Sequence, residues 1–146
     1  MRLVVLSLLL AACANSATPT PTQSVCPTPD PGTSWESFGQ QFMADYCTAC
    51  HDSSLTHAQR NGAPLFHNYD TLTGVLDLPG HIDEYAGAGP AGENTEMPPG
   101  RCPSVMGGPL NRDCPQPTTE ERTTLSLWLA CEKARRAPSM ASGALR

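Results

Sequence analysis

Aromatic residues are scarce in this chain, 5% of its 146 positions, and charged residues make up only 16%. With much of the middle of the sequence given to Gly and Pro, apolar burial alone would barely offset chain entropy. A large apolar cofactor would fill that deficit. Basic residues are missing from most of the chain: residues 14–132 hold Arg60, Arg101, Arg112 and Arg122 against all fourteen acids, a formal charge of −10. A body of that sign repels nucleic acid and anionic lipid and favours basic partner surfaces. No window alternates in the manner of a strand, and no internal repeat is present.

What the chain does have begins at its first residues. "MRLVVLSLLLAAC" is one Arg, an unbroken apolar run and two alanines before Cys13, the layout of a secretory signal and too short to span a bilayer. Leu10-Ala11-Ala12-Cys13 resembles the bacterial lipobox, which implies cleavage before Cys13 and acylation of that residue as a membrane anchor; in an ordinary secreted protein Cys13 would leave with the signal. Removing Arg2 leaves eight basic against fourteen acidic residues, or −6. Export places the seven cysteines in an oxidising compartment, where thiols tend to pair. Setting aside Cys13 for lipid and Cys47 and Cys50 of "CTACH" leaves Cys26, Cys102, Cys114 and Cys131, enough for two disulfides.

The expected organisation has four parts: a signal peptide over 1–12, a tether over 13–32, a domain over 33–132 and a basic disordered tail over 133–146. Thr, Ser and Pro dominate the tether, whose prolines keep it extended over ~50 Å at roughly 3 Å per residue. In the domain, Thr33 with Glu36 reads as a capping box, followed by Trp35, Phe38, Phe42 and Tyr46 on one helical face. Thr118 with Glu121 repeats the box ahead of a Leu125, Trp128, Leu129 stripe. Between them "YDTLTGVLD" and "HIDEYAG" are weaker helix candidates, and residues 86–116 read as loop. The expectation is a small all-α domain wrapped by a long Gly/Pro loop.

Cys47-Thr48-Ala49-Cys50-His51 is the attachment signature of c-type haem. On a helical turn, positions i and i+3 project to one side, so Cys47 and Cys50 can form thioethers to the two haem vinyls while His51 ligates iron. Structural zinc would want a second ligand pair, and Cys102 and Cys114 are poor candidates in an oxidising setting. A thioredoxin-like redox pair would want a βαβ pattern, which is absent. A plain Cys47–Cys50 disulfide is the simplest rival.

Over about 33–132 the chain resembles a class I c-type cytochrome, and "GAPL" and "NTEMPPG" extend the resemblance beyond the attachment motif. It implies a cytochrome c-like fold around one covalent haem. It also implies that Pro64, thirteen residues after His51, offers its backbone carbonyl to the other imidazole nitrogen, fixing the tautomer. Met97 is implied as the distal iron ligand on a proline-stiffened loop, with Met106 and His81 as rivals. Met43 reads as core, Met140 as tail, and His57 and His67 as solvent-facing. The family packs its first and last helices together, which favours a Cys26–Cys131 disulfide, and Cys102–Cys114 would close the loop beside the Met.

These expectations describe a periplasm-facing, lipid-anchored monohaem cytochrome c, an electron carrier and not an enzyme, docking on redox proteins with basic surfaces. A haem-based sensor, an accessory subunit of an envelope oxidoreductase, or a structural lipoprotein are the alternatives. The last basic residues, Lys133, Arg135 and Arg136, read either as a docking patch or as a solvated, frayed helix end.

Overall fold

The computed structural model describes residues 20–137; the signal peptide, Cys13, the start of the tether and Met140 lie outside the described residues. A π-helical turn, Trp35–Gly39, runs directly into α1 (Gln40–Tyr46), and α2 (Thr48–His51) follows after Cys47. A 3-10 turn at His57–Arg60 precedes α3 (Leu72–Asp77) and α4 (Pro79–Ala86). Two antiparallel ribbons come next, β1 (Ala88–Gly89) with β2 (Gly92–Glu93) and β3 (Arg101–Pro103) with β4 (Leu110–Asp113), before the long α5 (Thr119–Arg136).

The ribbons correct the all-α expectation: the described residues form a mixed helix and strand fold, and the stretch 86–116 is not plain loop. No alternating pattern announced them because they are only two to four residues long and held by backbone pairing. Gly92, at φ 138°, supplies the turn geometry that closes the first ribbon. Cys102–Cys114 staples the second.

Helix starts follow local chemistry. Ser34, not Thr33, caps the first helical segment: its hydroxyl accepts from the Ser37 N–H, and Ser37 reaches back to the Ser34 N–H. Thr118 and Glu121 form the reciprocal box expected for α5, and each such cap contributes roughly 1 kcal/mol. Glu120 and Glu121 at one end of α5, with Lys133, Arg135 and Arg136 at the other, suit the helix dipole.

Leu125, Trp128 and Leu129 of α5 are fully buried against Phe42 and Met43 of α1 and Val75, Ile82 and Ala86 of α3 and α4. Trp128 sits 6.2 Å from the Trp35 ring and 6.1 Å, edge-on, from Phe38. Gly39 is required where α1 meets α5, because a Cβ there would stand 2.5 Å from the Trp128 ring.

The boundaries at both ends also shift. Thr22 and Ser24 are buried within the supposed tether: the Thr22 N–H and hydroxyl donate to the fully buried Asp83 carboxylate at 2.7 and 3.0 Å, and Cys26 is joined to Cys131. The strap is part of the domain. Similarly, residues 133–136 are helix, with Arg135 bonded to Asp30 and Glu132, so the disordered tail cannot begin at 133. Both disulfides pair the cysteines that the resemblance favoured.

Candidate functional site

Cys47 ends α1, its N–H bonded to the Met43 carbonyl, and its own carbonyl accepts from the Cys50 and His51 N–H groups at 3.2 and 3.0 Å. That single turn brings Cys47, Cys50 and His51 to the wall of a largely apolar cavity of about 470 Å³. The volume is within the roughly 300–1,000 Å³ that cofactor-sized ligands occupy. Met97, Pro98, His81 and Tyr85 line the same cavity.

The two cysteines of the motif are unpaired, whereas the other four in the described residues are disulfide-bonded. The plain Cys47–Cys50 disulfide is therefore not what this fold holds. Burial pushes the Cys47 thiol up to about 12, against a smaller opposing pull from the Arg122 cation. Cys50 is also raised by burial, with Asn61 and Arg60 acting the other way. Both cysteines line the apolar hollow, where burial favours the neutral thiol. Burial lowers the His51 imidazole to about 4, with the charges around it adding to the effect and its backbone bond opposing. Its Nδ1–H donates to the His67 carbonyl at 3.0 Å, which leaves Nε2 as a free lone pair, the form in which imidazole binds metal.

That carbonyl corrects the expectation for Pro64. Pro64 lines the cavity, but its carbonyl accepts from the Arg60 guanidinium at 2.7 Å and the His67 N–H at 3.1 Å. His67 itself is buried, at 8% exposure, and not solvent-facing. Ring contacts run from His51 onward: Tyr69 stacks on it at 4.6 Å, while His67 meets His81 at 4.7 Å and His81 meets Tyr85 at 4.5 Å.

Of the distal candidates, Met97 and His81 reach the cavity wall. Met106 is 53% exposed and absent from that wall, and Met43 is fully buried in the core. Met97 is held through its backbone, its N–H donating to the Tyr85 carbonyl at 2.9 Å and its carbonyl accepting from Arg122 at 2.9 Å.

Two buried arginines and Tyr69 escaped sequence reasoning. Arg60, 1% exposed, gives every guanidinium N–H to a neutral acceptor: the carbonyls of Asp52, Ala63, Pro64 and His67 and the Asn68 side chain. It shares the His67 carbonyl with His51 and so fixes the loop under the imidazole. Nothing in a polar loop sequence marked it. Arg122 did leave a signal, since it falls three residues before Leu125 on the apolar stripe of α5.

No protein-family model matches this chain, and neither a characterised protein nor a solved structure gives a match. The site is therefore read from its own chemistry. Its sulfur and nitrogen donors stand on an apolar wall, a set that suits an apolar cofactor. Two neutral thiols, one deprotonated imidazole nitrogen and one thioether surround a mostly apolar hollow.

Proposed function

We propose that this chain is a monohaem c-type electron carrier, with haem held by thioethers from Cys47 and Cys50, His51 as proximal ligand and Met97 as distal ligand. The observation that supports it most is the unpaired Cys47 and Cys50 lining one cavity with His51 and Met97, in a fold whose other described cysteines are bonded. Haem held there would supply one reversibly exchanged electron, and a soft thioether among its donors would favour the ferrous state. The protein's part is to offer His51 and Met97 at the cavity, exclude water with Ile82, Ala86 and Tyr69, and keep His51 in one tautomer through the His67 carbonyl.

In this reading the acidic body approaches basic patches on redox partners, and salt weakens the encounter. Lipidation at Cys13 belongs to the same proposal. Only six residues separate Cys13 from Thr20, so seven chain steps put a lipid there at most about 25 Å from the domain. That is half the reach expected of a tether running to residue 32. No helix of the described residues is long and apolar enough to cross a membrane.

The test is a visible spectrum of the protein matured in a haem-attaching envelope. A low-spin spectrum that does not respond to carbon monoxide at neutral pH supports electron carriage. High-spin iron or ready carbon monoxide binding turns the reading to a sensor, and no haem at all removes it.

A further inference from the structure

Arg122 stands behind the cavity wall and not on it. Its side chain is 2% exposed, and one nitrogen, Nη1, donates to the carbonyls of Ala86, Asn94 and Met97, each at 2.9 Å. Nη2 donates to Gln116 Oε1 at 3.2 Å, and the Gln116 amide in turn donates to the carbonyls of Pro98 and Pro99 at 3.2 and 3.4 Å. Glu93, 3.7 Å from Nε, supplies counter-charge from β2. The segment 94–99 is thus held by one guanidinium from α5 and one amide from Gln116, just before that helix. That segment has few bonds of its own: Asn94 pairs with Gly87, Met97 pairs with Tyr85, and Pro98 and Pro99 have no N–H to give.

We propose that Arg122 is the positioning residue for Met97, holding the backbone of the 94–99 loop so that its thioether stays at the cavity. The inference rests on the haem reading for the role of the thioether, but the hold on the backbone is independent of it. A forked, planar cation is suited to the task because Nη1 gathers the three carbonyls while Nη2 holds Gln116, two separate positions that the single nitrogen of an ammonium does not occupy at once. Without it no donor reaches the Asn94 and Met97 carbonyls from α5, and the loop keeps the Met97 and Asn94 N–H bonds, the Asn94 side-chain bond to the Asp83 carbonyl and the Gln116 amide on Pro98 and Pro99; Met97 is 39% exposed, with solvent open to it. Arg122 acts from α5, the most deeply packed helix, so the rigidity of the core is passed to the loop.

The experiment uses the full matured chain with Arg122→Lys, Arg122→Met and Gln116→Ala, the last reaching the same loop from an exposed position that does not threaten folding. Imidazole, titrated onto the ferric protein well below any unfolding transition, competes with Met97 for iron. We expect its apparent affinity to rise at least tenfold in Arg122→Met, by a smaller factor in Gln116→Ala, and by an intermediate factor in Arg122→Lys. In parallel, exchange of the Met97 amide hydrogen is followed relative to core amides such as that of Leu129, and is expected to quicken at least tenfold in Arg122→Met. Unchanged imidazole affinity and unchanged Met97 exchange, with only a lower unfolding midpoint, would reduce Arg122 to a structural residue and overturn the proposal. If the matured chain carries no haem, the haem reading fails and amide exchange alone decides whether Arg122 holds the loop. Should Met97→Ala leave imidazole affinity at the wild-type value, Met97 is not the displaced ligand and the proposal falls with it.

Discussion

Replacing Arg60 with Met tests the account of how the proximal side of the site is built. The guanidinium is buried and satisfies five acceptors, including the carbonyl that receives the His51 Nδ1–H. Met fills similar volume but leaves those acceptors without their donor. Hydrogen bonds to a charged group are worth about 1.5–3 kcal/mol each against an unmade bond, which would suggest a very large loss. Two effects reduce it. Pro64 and His67 carbonyls keep second partners in the His67 N–H and His51, and removing the cation relieves its own desolvation, a cost of several kcal/mol. The expected net loss is about 2–4 kcal/mol. In urea, with a slope of about 1–3 kcal/mol/M for a chain of this size, the midpoint falls by roughly 1–2 M. Arg60→Lys keeps the charge but not the fork, and should fall between Met and wild type. A change under about 0.5 kcal/mol in Arg60→Met would refute the reasoning, because it would mean that the five bonds hold nothing.

Met97→Ala should keep covalent haem, lose the thioether signature in the ferric spectrum, and show a lower reduction potential and new carbon monoxide binding; an unaltered spectrum would hand the distal role to His81. Gly39→Ala pushes a methyl into the Trp128 ring and should destabilise by about 1–3 kcal/mol in a denaturant melt. Opening the Cys102–Cys114 loop by replacing both cysteines with Ser should cost about 3 kcal/mol of stability, from the entropy of a twelve-residue loop. Asp83→Ala should release the strap, measured as proteolysis near Thr22 well before the domain unfolds, because two donors on Thr22 lose their buried acceptor.

Helical periodicity, with the Thr118–Glu121 cap at α5, made α1, α5 and their shared core legible, because a stripe of Phe42, Leu125, Trp128 and Leu129 has one place to go, while the first cap fell one residue later than expected, at Ser34. The cysteines were legible by count. The ribbons were not, since two residues such as Ala88–Gly89 carry no period to read. The Thr20–Cys26 strap was hidden because Thr, Ser and Pro read as tether unless a buried carboxylate such as Asp83 waits 61 residues beyond Thr22. Short range also misled at His51: a suitable proline at the expected distance drew the assignment, whereas Arg60 takes the Pro64 carbonyl and presents that of His67 instead. Sequence spacing identifies which side chains are capable of ligation, but it does not say which backbone oxygen faces them.

The central claim is that Cys47 and Cys50 are reserved for a covalent cofactor. The most direct measurement is the intact mass of the envelope-matured protein after acid and organic extraction, beside the Cys47→Ser, Cys50→Ser double variant. The account predicts the added mass of one haem on the wild type and none on the variant, with both disulfides retained in each. A wild-type mass equal to that of the bare chain, with Cys47 and Cys50 still free to react with a thiol reagent, would contradict it.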